Sequence, residues 1–241
     1  IFLKKIFIKP YIMLLNLSDY IICTSKLEIK SVSRFLPKKD IFLLPNSTNP
    51  PVFKEISKNN IVIYLGRIVP QKGVHDLIDA WKNNIGLNKN WELRIYGNAN
   101  DDNYLNQLID SSSETSNIKF CGEVHADKKW QAISKAKYLV LPSYSENFGN
   151  VVIEGMICGT VPVTTRDIPW EELNDNEVGF SCDREDLSEV LKNVFNMPDA
   201  DFLNMSKKTR QYAFNHYHSA SVAEKFINFL LTLEKDYNNN N

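Results

Sequence analysis

The sequence predicts an α/β protein in which a parallel sheet is covered by helices on both faces. From Ile61 to Leu233, short apolar segments typical of buried strands alternate with longer amphipathic segments typical of helices. The strand-like segments are apolar almost throughout, as expected where helices cover both faces. A length of 241 residues, 43% of them apolar, suffices for one large domain, alone or with a fragment of another.

The first 50 residues are interpreted as the tail of a preceding domain followed by a linker. The turn-rich stretch PNSTNPP, which ends at Pro51, is typical of a domain boundary. Everything before it is too short to form a domain. Its predicted elements are helices at Ile6–Leu17 and Lys26–Leu36 and strands at Tyr20–Thr24 and Ile41–Leu44.

Residues 51–241 are interpreted as the main domain. Its predicted strands are Ile61–Leu65, Trp91–Tyr96, Ile118–Cys121, Tyr138–Leu141, Val161–Thr164 and Gly179–Cys182. Its predicted helices are Val74–Asn84, Tyr104–Ser111, Lys128–Ala136, Asn150–Cys158, Asp186–Phe195, Asp201–Phe214 and Ser221–Leu233. Ligands of such sheets bind beyond the carboxyl ends of the strands. The loops after Leu65, Tyr96, Cys121 and Leu141 are therefore expected to share one edge.

Composition limits the classes of function. A net charge of -1 gives no reason to expect binding to nucleic acid, which requires a basic face. The cysteines are far apart and mostly lie in apolar segments, which favours buried, reduced thiols over disulfides or zinc. They are Cys23, Cys121, Cys158 and Cys182. A cytoplasmic protein is expected.

The segment Ile1–Pro10 resembles the start of a signal peptide, but no small-residue cleavage site precedes Asp19. No apolar run reaches the roughly 18 residues of a membrane helix. We interpret the segment as a helix cut from a longer protein. The alternative, a basic amphipathic segment that touches the inner face of a membrane, stays open.

The most informative stretch, SYSENFGNVVIEGMICGT, follows the fourth predicted strand of the main domain. Glu146 lies in its loop and Glu154 about one turn into its helix. Helical side chains lean toward the N-terminus, so both carboxylates are expected to face one cleft. The N–H groups of Gly149, Asn150 and Val151 open the helix and favour an anionic or hydroxyl-rich ligand.

Each acid also has an ordinary interpretation. Glu146 can be a solvated loop residue, and Glu154 an acid stabilised by the helix dipole. Glu154, however, lies in an otherwise apolar helix, where an unpaired charge is costly, so it is expected to have a partner. A paired-carboxylate glycoside hydrolase is disfavoured because both acids come from one loop and helix near cations.

The second informative loop, GRIVPQKG, follows the strand that ends at Leu65. Arg67 and Lys72 stand at the start of the next helix, and the flanking glycines allow close backbone approach. Cations and N–H donors together can replace the water around a diphosphate. The alternative is a solvated loop with two surface cations. The absence of GxGxxG and GxxxxGK[ST] argues against a dinucleotide dehydrogenase and a P-loop NTPase.

The histidines do not have metal-ligand spacing, and surface or capping roles are expected for them. They are His75, His125, His216 and His218. His125 alone lies in a loop at the expected edge of the ligand site.

Three segments together resemble the C-terminal domain of glycosyltransferase family 4, whose members are retaining enzymes of the GT-B fold. They are GRIVPQKG at 66–73, ENFGNVVIE at 146–154 and GTVPV at 159–163. The resemblance extends from about Leu17 to the end, with SDYIICTS and LLPN similar to the last strand and the crossover of the family's N-terminal domain. It implies a Rossmann-like sheet that forms the C-terminal half of a GT-B protein.

The resemblance implies a role for each candidate residue. Arg67 and Lys72 would hold the diphosphate of a nucleotide-sugar donor and stabilise the leaving nucleotide, Glu146 would bind sugar hydroxyls, and Glu154 would bind ribose. The backbone N–H groups at Phe148 to Val151 would help Glu146. The nucleobase would lie near Tyr96-Gly97 and Gly122-Glu123-Val124. The other implied donor-site residues are Gly66, Gly122, Val124, Asn147, Phe148, Gly149, Asn150 and Val151. No metal or cofactor is implied, because the cations and the helix N-terminus supply the positive field.

The sequence departs from the family pattern in two respects. At 166–172 the sequence is RDIPWEE, where the family often has a Gly-Gly turn followed by a Glu. This departure bears on the choice of donor sugar and acceptor. Most of the N-terminal domain, which supplies the acceptor site, is absent. The chain is therefore interpreted as the donor-binding half of a transferase that moves a hexose, with UDP as one candidate nucleotide, to a polysaccharide or lipid-linked acceptor.

Two alternatives to this function stay open. The chain can be a nucleotide-sugar-binding module without transfer activity, although such a module need not retain Arg67, Lys72, Glu146 and Glu154. It can also be a GT-B relative with another leaving group, such as a sugar-phosphate synthase.

Overall fold

The computed structural model describes residue 10 and residues 12–51 and 57–239. By its contacts the chain divides into two compact units. One contains residues up to 46 together with residues from 220 onward, and the other contains Ser47–Ser219. The last helix thus belongs with the N-terminal segment, which the sequence did not indicate. The sequence-based boundary at residue 50 stays a prediction.

The smaller unit contains a two-stranded parallel sheet of β1 (Tyr20–Cys23) and β2 (Asp40–Leu43), joined through helix α1 (Lys26–Ser33). The Ser25 hydroxyl accepts a hydrogen bond from the Glu28 N–H and caps α1, in agreement with the predicted helix start. Residues 12–16 are helical, and the earlier part of the predicted helix lies outside the described residues. The long C-terminal helix contributes Phe229, which stacks on Phe42 with ring centroids 3.8 Å apart.

The larger unit confirms the predicted parallel α/β sheet. It has six strands in the order β5-β4-β3-β6-β7-β8, and every neighbouring pair is parallel. The strands are β3 (Asn59–Leu65), β4 (Glu92–Tyr96), β5 (Ile118–Gly122), β6 (Ala136–Leu141), β7 (Val161–Thr165) and β8 (Phe180–Cys182). The central strands β3 and β6 carry runs of fully buried residues, as the continuous apolar pattern predicts.

Helices cover this sheet at almost every predicted position. They are α2 (Val74–Lys82), α3 (Asp102–Ser112), α4 (Ala126–Lys135), α5 (Asn150–Ile157), α6 (Glu172–Asp175), α7 (Leu187–Asn196) and α8 (Asp199–Tyr217). The last helix, α9 (Ser219–Asn239), belongs almost entirely to the smaller unit. The short helix α6 was not predicted, because four residues are too few for a periodic pattern. Helix α3 starts two residues before the prediction, since the Asp101 carboxylate accepts hydrogen bonds from the Asn103 and Tyr104 N–H groups.

The cysteine prediction holds in part. All four cysteines are free thiols, and Cys23 and Cys182 are buried. Cys121, in contrast, is exposed. It lies on β5, the edge strand of the sheet, so its side chain lacks the cover that central strands receive.

Within the described ranges, none of the helices combines the length and the apolar character needed to cross a membrane.

Candidate functional site

The loops at the carboxyl ends of β3, β4 and β5 are joined by backbone hydrogen bonds. The Gly66 N–H donates to the Tyr96 carbonyl oxygen at 3.0 Å, and the Gly97 N–H donates to the Gly122 carbonyl oxygen at 2.9 Å. A Cβ atom on Gly97 would lie 1.8 Å from the Gly66 carbonyl oxygen, so only glycine allows this approach. The edge predicted from the sequence therefore exists as a connected surface.

The loop after β3 ends in a tight turn that sets the position of Lys72. Pro70–Lys72 form a 3₁₀ turn, and Gly73 adopts a left-handed conformation with φ 66° before α2 begins. A Cβ atom on Gly73 would lie 2.2 Å from the Pro142 carbonyl oxygen. The turn thus packs directly against the start of the loop after β6, and the packing depends on this glycine.

Arg67 lies earlier in the same loop with an exposed side chain. Its backbone carbonyl accepts a hydrogen bond from the Tyr64 hydroxyl at 2.7 Å. Burial, and next the charge of Glu146, raise the pKa of Tyr64 well above its ordinary value, so the hydroxyl stays a donor. The buried tyrosine anchors the backbone of Arg67 and leaves its guanidinium in solvent, where it can meet a ligand.

Lys72 and Glu146, far apart in sequence, form an ion pair. Only 16% of the Lys72 side chain and 15% of the Glu146 side chain are exposed. The Ser143 hydroxyl also donates to Glu146 Oε1, at 2.9 Å. The structure therefore brings together one candidate cation and one candidate acid, each predicted from a different loop, and adds Ser143, to which the sequence analysis gave no role.

The helix that follows Glu146 opens on Gly149, which adopts φ 85°. No side chain caps the first turn from that position. Phe148 is buried, with its ring centroid 5.2 Å from that of Trp170, and the Trp170 Nε1–H donates to the Phe148 carbonyl oxygen at 2.6 Å. The Phe148 ring is thus a hydrophobic anchor for the helix start, which leaves only its backbone for the predicted contact with a ligand.

Glu154 has the partner that its place in an apolar helix required. Lys129, on α4, donates to Glu154 Oε1 at 2.6 Å, and the two side chains are 24% and 16% exposed. The sequence analysis did not single out Lys129. The apolar sequence of α5 predicts that Glu154 has a partner. That this partner is a lysine of α4 depends on how α4 and α5 pack.

The other candidate residues differ in how far they are exposed to solvent. Asn147, Asn150 and Gly122 are exposed, and Gly66, Val124 and Val151 are half-buried. The exposed His125 contacts Glu123 at 3.1 Å, and His75 Nδ1 lies 2.9 Å from the Tyr104 hydroxyl, so both have ordinary polar partners. Among the described residues, no group of three or more His, Cys, Asp or Glu side chains is arranged to hold a metal ion.

A third residue without a predicted role, Arg184, lies just after β8. Its guanidinium donates to Asp76 of α2 and to Asp167 after β7. Asp76 and Arg184 are 108 positions apart in the sequence, so spacing could not reveal the cluster.

Residues 45–216 match the family model described as glycosyl transferases group 1. Among curated relatives, an uncharacterised glycosyltransferase of Methanocaldococcus jannaschii is 33% identical over 62% of this chain and 40% of its own length. The capsular polysaccharide biosynthesis glycosyltransferase CapM of Staphylococcus aureus is 24% identical over 81% of this chain and 52% of its own. The chain thus spans about half, or less, of the length of these relatives.

Among solved structures, Anabaena HepE in complex with UDP and glucose superimposes with a TM-score of 0.72 at 18% identity. The match covers 89% of this chain and 64% of HepE. At 18% identity this similarity shows only the fold, which is that of one half of a GT-B glycosyltransferase.

Proposed function

The chain belongs to the family of group 1 glycosyl transferases, and on that premise we propose that it is the donor-binding half of a retaining, family 4 enzyme. It would bind a nucleoside-diphosphate hexose for transfer to a polysaccharide or lipid-linked acceptor. The observation that carries the proposal is the Lys72–Glu146 pair, half-buried at the carboxyl edge beside the start of α5. A cation, an acid and helix N–H groups together match the phosphates and hydroxyls of such a donor.

The diphosphate would lie between Arg67 and Lys72. The ammonium group of Lys72 has three N–H donors, so it can keep its bond to Glu146 while another donor meets a phosphate oxygen. The exposed guanidinium of Arg67 can bind a second phosphate with two parallel bonds. As the sugar departs, these cations would stabilise the charge that develops on the nucleoside diphosphate, the task a metal has in other transferases.

Glu146 would bind the sugar. Both hydrogen bonds that described residues make to its carboxylate use Oε1. Oε2 is thus left to accept a bond from a sugar hydroxyl, while Lys72 and Ser143 hold the group in place. Glu154 is arranged similarly, because Lys129 bonds to Oε1 and Oε2 can accept from the ribose hydroxyls.

Acceptor binding and transfer would require the part of the enzyme that this chain does not span. The reaction of a GT-B enzyme takes place in a cleft between two Rossmann-like domains, which excludes water and aligns the acceptor. The purified chain is expected to bind the donor without transferring sugar. A capsular polysaccharide acceptor is supported by the name of the Staphylococcus aureus relative.

A thermal-shift panel of UDP, GDP, ADP and their hexose conjugates tests the donor site. A ligand at 100 times its dissociation constant should stabilise the fold by about 2.7 kcal/mol. Arg67→Ala should then weaken the selected nucleoside diphosphate by about 1.5–3 kcal/mol, measured by calorimetry. Arg210→Ala, which removes an exposed arginine of α8, a helix without candidate site residues, should have no effect. A panel without any stabilising nucleotide would contradict the proposed function.

A further inference from the structure

The side chain of Arg184 connects separate segments at the carboxyl edge of the sheet. Its Nη1 donates to Asp76 Oδ2 at 2.7 Å, and its Nη2 donates to Asp167 Oδ2 at 2.5 Å. Asp76 lies in the first turn of α2, and Asp167 lies in the turn after β7. Only 16% of the Arg184 side chain is exposed. One guanidinium therefore joins three segments of the chain, one of which, at Asp76, is 108 positions away in the sequence.

The same guanidinium holds the backbone of the loop that carries Glu146. Nη1 donates to the Pro142 carbonyl oxygen at 2.8 Å, and Nη2 approaches the Ser143 carbonyl oxygen at 3.4 Å. Its Cζ lies 3.5 Å from the centroid of the Tyr144 ring, in stacking geometry. Three consecutive residues at the start of this loop are thus positioned by one planar group.

These contacts require an arginine. The guanidinium presents its donors in a rigid fork and stacks on an aromatic face, whereas a lysine ammonium is a compact charge on a flexible stem. Burial opposes the charge, but the Asp167 and Asp76 carboxylates outweigh it and raise the pKa of Arg184 above its ordinary value. Arg184 therefore stays charged at neutral pH.

We propose that Arg184 is a positioning residue of the donor site, which holds the 142–146 loop so that Glu146 meets the sugar of the bound nucleotide. The proposal rests on the proposed function. Arg184 acts through the loop and does not contact the ligand. Its role is to favour the sugar-bearing donor over the free nucleotide, since Glu146 is assigned to the sugar, whereas Arg67 and Glu154 bind groups that both ligands share.

The test uses Arg184→Lys, which keeps the charge and removes the fork. Arg210→Lys is the matched control, because Arg210 also has its guanidinium near an aromatic ring, 5.7 Å from the Phe214 centroid, but is exposed and lies on α8, which carries none of the candidate site residues. Calorimetry measures the affinities of each variant for the nucleoside diphosphate and for its hexose conjugate. Arg184→Lys should weaken binding of the hexose conjugate about tenfold or more, because a small displacement of Glu146 misaligns it with the sugar. Binding of the free nucleotide should weaken less than about threefold. The control should change neither.

A merely structural role would lower the melting temperature and weaken both ligands equally, which would overturn the proposal. Should Arg184→Lys fail to fold, Asp167→Asn removes only one of the charged bonds, at a 48% exposed carboxylate. It should shift the affinity ratio in the same direction by a smaller factor. An unchanged ratio in that variant would equally overturn the proposal.

Hydrogen exchange without ligand separates this proposal from the proposed function. Backbone amides of residues 143–149 should exchange faster in Arg184→Lys than in the wild-type chain, and remain unchanged in Arg210→Lys. If the wild-type chain binds no nucleotide sugar, the proposed function fails, and the exchange rates still decide whether Arg184 holds the loop. Unchanged exchange in Arg184→Lys would refute the positioning role even where the donor binds.

Discussion

Two lysine–glutamate pairs occupy the candidate site, and they are held in different ways. Lys72 and Glu146 both lie in loops. The backbone there is placed by the close approach of Gly73 to Pro142 and by Arg184, and the Ser143 hydroxyl bonds to the Glu146 carboxylate. Lys129 and Glu154 both lie on helices, and their meeting depends on how α4 and α5 pack. The first pair therefore depends on loop backbone geometry that single substitutions can break, whereas the second depends on the packing of two helices.

This difference has a consequence for specificity. A loop held by several tertiary contacts can place a carboxylate accurately, as recognition of one sugar requires. The Lys129–Glu154 pair, in contrast, is placed only as accurately as two helices pack. Such accuracy suffices for ribose, a group common to all ribonucleotide donors. The next predictions test this contrast.

The largest effect is expected from Gly73→Ala. The left-handed conformation of Gly73 and the 2.2 Å approach of a Cβ to the Pro142 carbonyl oxygen should together cost about 3 kcal/mol of folding free energy. Urea denaturation measures this loss. Gly86→Ala is the control, since a Cβ at Gly86 meets no atom within 4 Å, and it should change stability by less than about 1 kcal/mol. Equal stability of the two variants would show that the loops of Lys72 and Glu146 do not depend on this backbone contact.

A smaller effect should separate the two acids. Glu154→Gln should weaken the free nucleotide and the nucleotide sugar alike, because both carry ribose, whereas Glu146→Gln should weaken only the sugar-bearing ligand. The expected losses are about 1.5–3 kcal/mol, the range for hydrogen bonds to charged groups. Calorimetry with both ligands measures them, and Glu189→Gln, at a carboxylate that is 62% exposed on α7, is the control. Equal losses of free nucleotide in both variants would contradict the assignment.

The smallest effect is expected from Lys129→Met, because the pair it breaks is partly exposed. The freed Glu154 carboxylate should bind ribose less well, which weakens the nucleoside and its diphosphate equally by about 0.5–1 kcal/mol. Lys72→Met should instead weaken only the diphosphate. Lys128→Met, at the neighbouring exposed lysine, serves as control. A loss confined to the diphosphate in Lys129→Met would assign Lys129 to the phosphates.

Much of the site could be predicted from local patterns. Glu146, Glu154 and Lys72 stand beside strand ends and helix starts, and the parallel sheet brings such positions to one edge. Phe148 shows what such reasoning leaves out. The motif predicts a role for its backbone N–H group, and its ring is buried against Trp170, more than twenty residues further along the chain. No local pattern records that contact, because only the fold brings the two residues together.

The sequence by itself determined the alternation of strands and helices, because buried strands and amphipathic helices leave hydrophobic patterns of different period. It also determined the need of Glu154 for a cation, since an unpaired charge in an apolar helix is costly. Only the tertiary structure decided that Lys129 meets this need and that Arg184 holds the loop of Glu146. The reason is physical: such contacts join groups far apart in the chain, and their formation depends on packing of the whole sheet, which no local pattern records.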